Sequence, residues 1–399
     1  MQKTLPEKVA SLDWNCWEAE TQYLTHAIHR YSGKFIPQIA RQAVELVTEP
    51  GEVVLDPYCG SGTTLLECLL SNRRSIGVDL NPLAVLISHV KTTPIEEKTI
   101  QDFVVQTEDY LASVFDHTGS LFGSSQNTPY DARGEAKKDW RYTDPWFNKW
   151  FQKETLCELI CIHQKLIHET NVHCRNIGLL AFSDILRKCS NAHHSYPNVM
   201  FDKTSKQVPA AVPEFLRRLK EVSSAVVELW SVLKGPVLLP RVILGDARAL
   251  PIPDSSIDSI VTHPPYIGSI PYAEYGLLSL VWLGHDPRKL DFQLTGGRRQ
   301  SPRVVERFKE GFADMLCEAG RVLKPGKIMA LLVGNPLVKG NRVDLAEMAK
   351  SLAPRAGFHC VVAHTRAGTN RRANLMGEES LLFFQRRTTQ VLARLRRVG

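Results

Sequence analysis

The segment Leu55-Asp56-Pro57-Tyr58-Cys59-Gly60-Ser61-Gly62-Thr63-Thr64 constrains the fold of this chain more than any other. It joins a short apolar run, Val53 to Leu55, which reads as a buried strand, to Thr63 to Leu70, which reads as a helix. Gly60 and Gly62 carry no side chain to keep a ligand away, and the amides that open the helix can meet a carboxylate. Doubly wound sheets bind nucleotides here, outside the carboxyl ends of their strands. A phosphate loop needs Gly-Lys-Ser or Gly-Lys-Thr after four spacer residues, and no such lysine is present, so a zwitterionic amino-acid end fits better than a phosphate. Asp56, closing the strand, is placed to accept from a ligand ammonium. Ser75 to Val78 reads as the next strand and ends at Asp79, where an acid can accept both hydroxyls of a ribose.

The same alternation places a helix at Pro37 to Val47, before the first strand. It stops near residue 100, resumes at Val242 to Leu244 and Ile257 to Val261, and continues with a helix from Phe308 to Leu323 and the turn Lys324-Pro325-Gly326. A strand at Ile328 to Val333 and a helix at Leu345 to Leu352 follow, and strands at His359 to His364 and Ser380 to Phe384 close the sheet as an edge hairpin. Three regions result: residues 1–100 with the cofactor loop, a mainly helical insert over 101–240, and residues 241–399 completing the sheet and ending in a basic tail. The insert contains a polar loop near Gly119 to Gly134 longer than compact connections usually are, and it is the candidate for target recognition.

Hydrophobic and charged fractions of 43% and 23% exclude a disordered or fibrous chain. No apolar run spans a bilayer and the first residues lack a signal-peptide core, so a cytoplasmic protein with no membrane partner is expected. The nine cysteines form no C-x-x-C pair and no zinc spacing, which predicts free thiols and no metal site. A net charge of +7 suits a polyanionic partner. Its arginines cluster at Arg298, Arg299 and Arg303, at Arg366, Arg371 and Arg372, and in the tail; a solvated surface accounts for any single cluster equally well. Arg298, Arg299 and Arg303 follow the last candidate motif in sequence and are the residues expected to contact a nucleic-acid backbone.

That motif is Thr262-His263-Pro264-Pro265-Tyr266, at the end of the strand Ile257 to Val261. Two consecutive prolines fix the backbone and remove two donors, holding a carbonyl outward beside an aromatic ring. A base drawn from its stack could lie against Tyr266 while its amine donates to the Pro264 carbonyl and to the His263 side chain. Aromatic amines are poor nucleophiles because their lone pair is delocalised, and two acceptors at the amine hydrogens help to localise it.

At these two loops the chain resembles the DNA amino-methyltransferases that make N4-methylcytosine or N6-methyladenine. The cofactor loop Asp56 to Thr64 is similar to that family's, and His263-Pro264-Pro265-Tyr266 is similar to its acceptor loop of polar residue, Pro, Pro, aromatic. His29-Arg30-Tyr31-Ser32-Gly33-Lys34-Phe35-Ile36-Pro37 looks like the upstream segment covering the methionine end of the cofactor, and Gly245-Asp246-Ala247-Arg248 like the place where the cofactor adenine is met.

The resemblance implies a Rossmann-like class I methyltransferase sheet, mostly parallel with an antiparallel edge strand, plus the helical insert, and S-adenosylmethionine as cofactor. It implies cofactor contacts at Lys34, Phe35, Pro37, Asp56, Tyr58, Gly60, Gly62, Thr63, Asp79 and Asp246, and catalytic roles for His263, Pro264, Pro265 and Tyr266. DNA is the expected partner, with cytosine N4 the leading target, adenine N6 next, and a restriction endonuclease admitted as a companion. His263 departs from the Ser, Asp or Asn usual in the family. RNA amino-methylation and a catalytically silent, nucleic-acid-binding domain are the rival readings; the intact cofactor loop argues against the latter.

Overall fold

The computed structural model describes residues 3–115, 132–193, 196, 198–204, 207–233, 237–268, 271–296, 302–367 and 378–388. Seven strands form one sheet: β1 (Val53–Asp56), β2 (Arg74–Asp79), β3 (Arg241–Leu244), β4 (Ile257–Thr262), β5 (Leu323–Gly334), β6 (Phe358–Ala367) and β7 (Glu378–Arg386). Their spatial order is β3-β2-β1-β4-β5-β7-β6. Only β7 runs against its neighbours: it pairs antiparallel with both β5 and β6, so the reversed strand belongs to the predicted closing hairpin. The chain order reverses between β1 and β4, which pair in parallel. A crevice therefore opens at the carboxyl ends of these two strands, because their connections leave in opposite directions.

Side chains alternate along the central strands because a strand's period is two. On one face Val54, Val261, Ala330, Leu332, Leu381 and Phe383 pack under helix α1 (Pro37–Val47), together with Trp14. On the other, Leu55, Ile260, Met329, Leu331, Leu382 and Phe384 pack under the later helices. Helix α2 (Thr63–Leu70) follows the glycine turn, and α3 (Pro82–Thr92) starts behind Asn81, whose side chain accepts from the Leu83 amide. The insert comprises α4 (Glu97–Phe115), several short helices, α5 (Lys153–Ile167), α6 (Val172–Ile185) and α7 (Ala211–Val232). It shares one core with α3, through Leu83, Leu86, Ile87 and Val90, and with Leu278, Leu280 and Trp282 beyond the acceptor loop. Trp150 is buried in this core and Trp146 packs edge-on to Phe147, so both serve packing. Among the described residues no helix is long and apolar enough to cross a membrane.

Two expectations need correction. Lys324-Pro325-Gly326 does not separate helix from strand: α8 (Val304–Val322) runs directly into β5, where Leu323 pairs with Ile257 and Ile328 with Ser259. The residues between form a bulge, which Pro325 and the left-handed Gly326 (φ +80) favour. Arg366 is not a surface cation of a basic loop. It lies on β6, is 2% exposed, and bridges Glu379, because the pairing of β6 with β7 places the two residues opposite each other. Arg371, Arg372, Arg298 and Arg299 lie outside the described residues.

Candidate active site

Between β1 and α2 the chain must reverse within six residues, and it does so through left-handed conformations at Gly60 (φ +51) and Gly62 (φ +76). A Cβ at Gly62 would stand 2.8 Å from Ser88 Oγ and 3.1 Å from Ser88 Cα on α3, so backbone angle and packing both require glycine. Gly62→Ala is expected to destabilise the fold by roughly 1–3 kcal/mol, read as a lower denaturation midpoint; an unchanged midpoint would show that the turn relaxes freely.

The turn is tied internally. The Gly60 amide donates to Asp79 Oδ2 at 2.9 Å and the Gly62 amide to the Cys59 carbonyl at 2.7 Å, while Ser88 Oγ donates to the Gly60 carbonyl. Asp79 Oδ1 accepts from the Asn81 amide at 2.8 Å. The Leu80 amide adds a third backbone hydrogen bond to the carboxylate. Burial raises its pKa to about 6, with the backbone hydrogen bonds opposing.

Asp56 is placed differently from the expectation of direct ligand contact. It is 3% exposed and accepts from Thr262 Oγ1 at 2.6 Å and from the Tyr58 amide. It clasps the ends of β1 and β4 behind the crevice, because the neighbouring strand supplies the nearest donor. Burial raises its pKa to about 6 as well.

A cleft of about 620 Å³, including its open mouth, brings the two loops together. From the cofactor side it is lined by Pro57, Tyr58, Gly60, Asp79 and Asp246, and from the acceptor side by His263 and Pro265. Tyr31, Gly33, Asn81, Tyr272 and Thr295 also line it, with the apolar Leu80, Ala247 and Leu294. Tyr58 Oη donates to Thr295 Oγ1 at 3.2 Å, linking the cofactor loop to the segment beyond the acceptor loop. Asp246 is held by Arg248; burial opposes its ionisation, but the Arg248 hydrogen bonds outweigh this and leave its pKa lowered.

Other predicted residues support the cleft from outside. Lys34 donates to the carbonyls of His26 (3.0 Å) and His29 (2.7 Å), pinning the upstream segment, and burial lowers its pKa to about 8. Phe35 packs its ring 5.5 Å from that of His263. Pro37 is the first residue of α1 and Thr63 the first of α2. Tyr266 is 8% exposed, edge-on to His263, with its hydroxyl 2.7 Å from His263 Nε2. Pro264 is not part of the cleft lining. Arg303 is exposed immediately before α8.

Sequence reasoning did not assign roles to Tyr31, Asn81, Thr262, Thr295 or Glu379. Asn81-Pro82 carried a helix-start signal, and Tyr31 lay within a segment already singled out. Thr295 and Glu379 carried no local signal.

The donor and acceptor set suits S-adenosylmethionine. Asp79 offers carboxylate oxygens to a diol, Asp246 lines the same cleft as a further acceptor, and Gly60 brings a wall free of side chains.

Residues 7–89 match the N6/N4 DNA methylase family. Over 307 residues the chain is 26% identical to the Type II methyltransferase M.MvaI of Kocuria varians, an alignment covering 71% of this chain and 64% of that one. It is 23% identical to the Type II methyltransferase M.MjaII of Methanocaldococcus jannaschii, covering 90% and 80% respectively.

Proposed function

We propose that this chain, which matches the N6/N4 DNA methylase family over residues 7–89 and is similar to Type II methyltransferases, is an S-adenosylmethionine-dependent enzyme that methylates the exocyclic amine of a DNA base, cytosine N4 foremost. The observation that carries this reading is the common cleft: His263 and Pro265 form one wall of the space that Gly60, Asp79 and Asp246 form from the other side. S-adenosylmethionine, when bound, supplies an electrophilic methyl group on a sulfonium.

The chain's own residues bind, orient and polarise. Asp79 accepts the ribose hydroxyls, Asp246 faces the adenine, and Tyr31 and Gly60 bound the methionine end. A base amine donates one hydrogen to a ring nitrogen of the cleft-lining His263 and the other to the carbonyl of Pro264, which lies between the lining residues His263 and Pro265 in the chain and is reached only once the base is seated. Withdrawing both hydrogens toward acceptors localises the nitrogen lone pair for attack. His263 does this only when neutral. Burial favours that state by lowering its pKa, with Glu379 opposing and Arg366 reinforcing.

The decisive assay incubates the full chain with tritiated S-adenosylmethionine and separate DNA and RNA pools, followed by nucleoside mass spectrometry. Label in DNA as N4-methylcytosine is expected. N6-methyladenine would overturn the choice of base, and label confined to RNA, or absent from both pools, the reading itself.

Cofactor affinity should depend on pH through Asp79. Its carboxylate must be ionised to accept both hydroxyls, so S-adenosylhomocysteine binding should weaken as pH falls through about 6. The same raised pKa acts oppositely on the free fold: this group's contribution to stability is present below its ordinary range near 4 and is lost as pH rises through about 6. Calorimetric titration from pH 8 to 5 should therefore show affinity falling without loss of fold, and Asp79→Asn should flatten the curve. A wild-type curve as flat as the variant's would remove Asp79 from this role.

A further inference from the structure

Glu379 is the second residue of β7, 113 residues after Tyr266, and its Oε1 accepts the Tyr266 hydroxyl at 3.1 Å. Its Oε2 is bridged by Arg366 Nη1. The Arg366 guanidinium also donates to the carbonyls of Trp14 (2.7 Å) and Asn15 (3.1 Å), so the carboxylate has a fixed counter-charge. A buried ion pair is weak as a stabilising device, because desolvation offsets its attraction. Its geometry here has a chemical consequence instead.

A carboxylate only accepts, so the single hydroxyl hydrogen of Tyr266 is directed to Glu379. The Tyr266 oxygen can then enter its 2.7 Å bond with His263 Nε2 only as acceptor, and Nε2 must carry the hydrogen. In a neutral ring the other nitrogen is then bare. His263 Nδ1 is buried and has no hydrogen-bond partner among the described residues, in a side chain that lines the cleft.

We propose that Glu379 is a positioning residue that, through Tyr266, holds His263 in the Nε2–H tautomer and so presents Nδ1 as the acceptor for a hydrogen of the base amine. The inference rests on the reading of His263 as that acceptor. It assigns the Tyr266 hydroxyl the task of transmitting a proton preference, separate from any stacking by its ring. It also explains why a family position usually held by Ser, Asp or Asn tolerates histidine here: the surrounding hydrogen bonds make one ring nitrogen an obligate acceptor.

The test is 15N–1H correlation spectroscopy of the histidine-labelled full chain, with His263→Asn identifying the His263 signals among the 13 histidines. Wild type should show a pyridine-like Nδ1 and a pyrrole-like Nε2. In Glu379→Gln the amide can donate to the Tyr266 oxygen, freeing the hydroxyl hydrogen for Nε2. The His263 signals should then move toward the Nδ1–H tautomer, with turnover at least about tenfold lower and S-adenosylhomocysteine affinity within twofold of wild type. Tyr266→Phe, which removes only the hydroxyl, should likewise abolish the tautomer preference. Nδ1–H in the wild type would overturn the inference, even if no variant folds; so would Glu379→Gln with unchanged tautomer and turnover. The predicted tautomer in a protein that methylates no DNA would instead overturn the functional reading and leave the hydrogen-bond inference standing.

Discussion

Asp79→Ala is expected to weaken S-adenosylhomocysteine binding by roughly 100-fold or more while leaving the chain folded. Two hydrogen bonds from a ribose to a carboxylate are each charge-assisted and contribute about 1.5–3 kcal/mol. Losing both corresponds to two or more orders of magnitude in affinity. The variant also strips the Gly60 and Asn81 amides of their acceptor, so the wall of the cleft loosens beside the bound cofactor. The fold should survive, since burial disfavours the Asp79 charge and its removal relieves that penalty. Isothermal titration beside a denaturation curve separates the two effects. Affinity within threefold of wild type in a folded protein would place the ribose elsewhere.

His263→Ala should have the complementary signature: cofactor affinity nearly unchanged and kcat lower by about 100- to 1,000-fold, the usual effect of removing one preorganised polar contact from a transition state. Asp79 and His263 line one cleft but share no hydrogen-bond partner, so neither substitution removes the other's contacts. In the wild type, kcat at saturating cofactor should stay level from pH 8 through 6.5, then fall below it, because burial lowers the His263 pKa and protonation abolishes its acceptor. A fall of the same shape persisting in folded His263→Asn would take His263 out of the reaction. Tyr266→Ala should follow His263→Ala and not Asp79→Ala, since the Tyr266 hydroxyl bonds His263 and Glu379 and not the ribose acceptor. Loss of cofactor affinity in Tyr266→Ala would contradict this division of roles.

The strands that carry Asp56, Asp79 and His263 were legible because each is a short apolar run ending in a polar residue, bounded by turn chemistry. Their order in the sheet was not, beyond the terminal hairpin. Asp56 illustrates the limit: its place at the end of β1 was correctly read, but the hydroxyl that satisfies it belongs to Thr262, 206 residues away. The bulge at Lys324-Pro325-Gly326 shows the same limit locally, since turn-forming residues can interrupt a strand as readily as end it. Arg366 is the clearest case. Charge patterning grouped it with surface arginines, whereas strand pairing buried it against Glu379.

By itself, the sequence determined the local chemistry: a glycine turn that only glycine backbones can make, an acid at the next strand end, and a rigid proline pair beside a histidine. Those are short-range consequences of backbone sterics and side-chain type. Only the tertiary structure decided which polar groups meet across the sheet, because such meetings depend on strand order and register summed over the whole core. It turned Asp56 inward and Asp79 toward the cleft, and it set Glu379 behind Tyr266, where a carboxylate can dictate which nitrogen of His263 remains free.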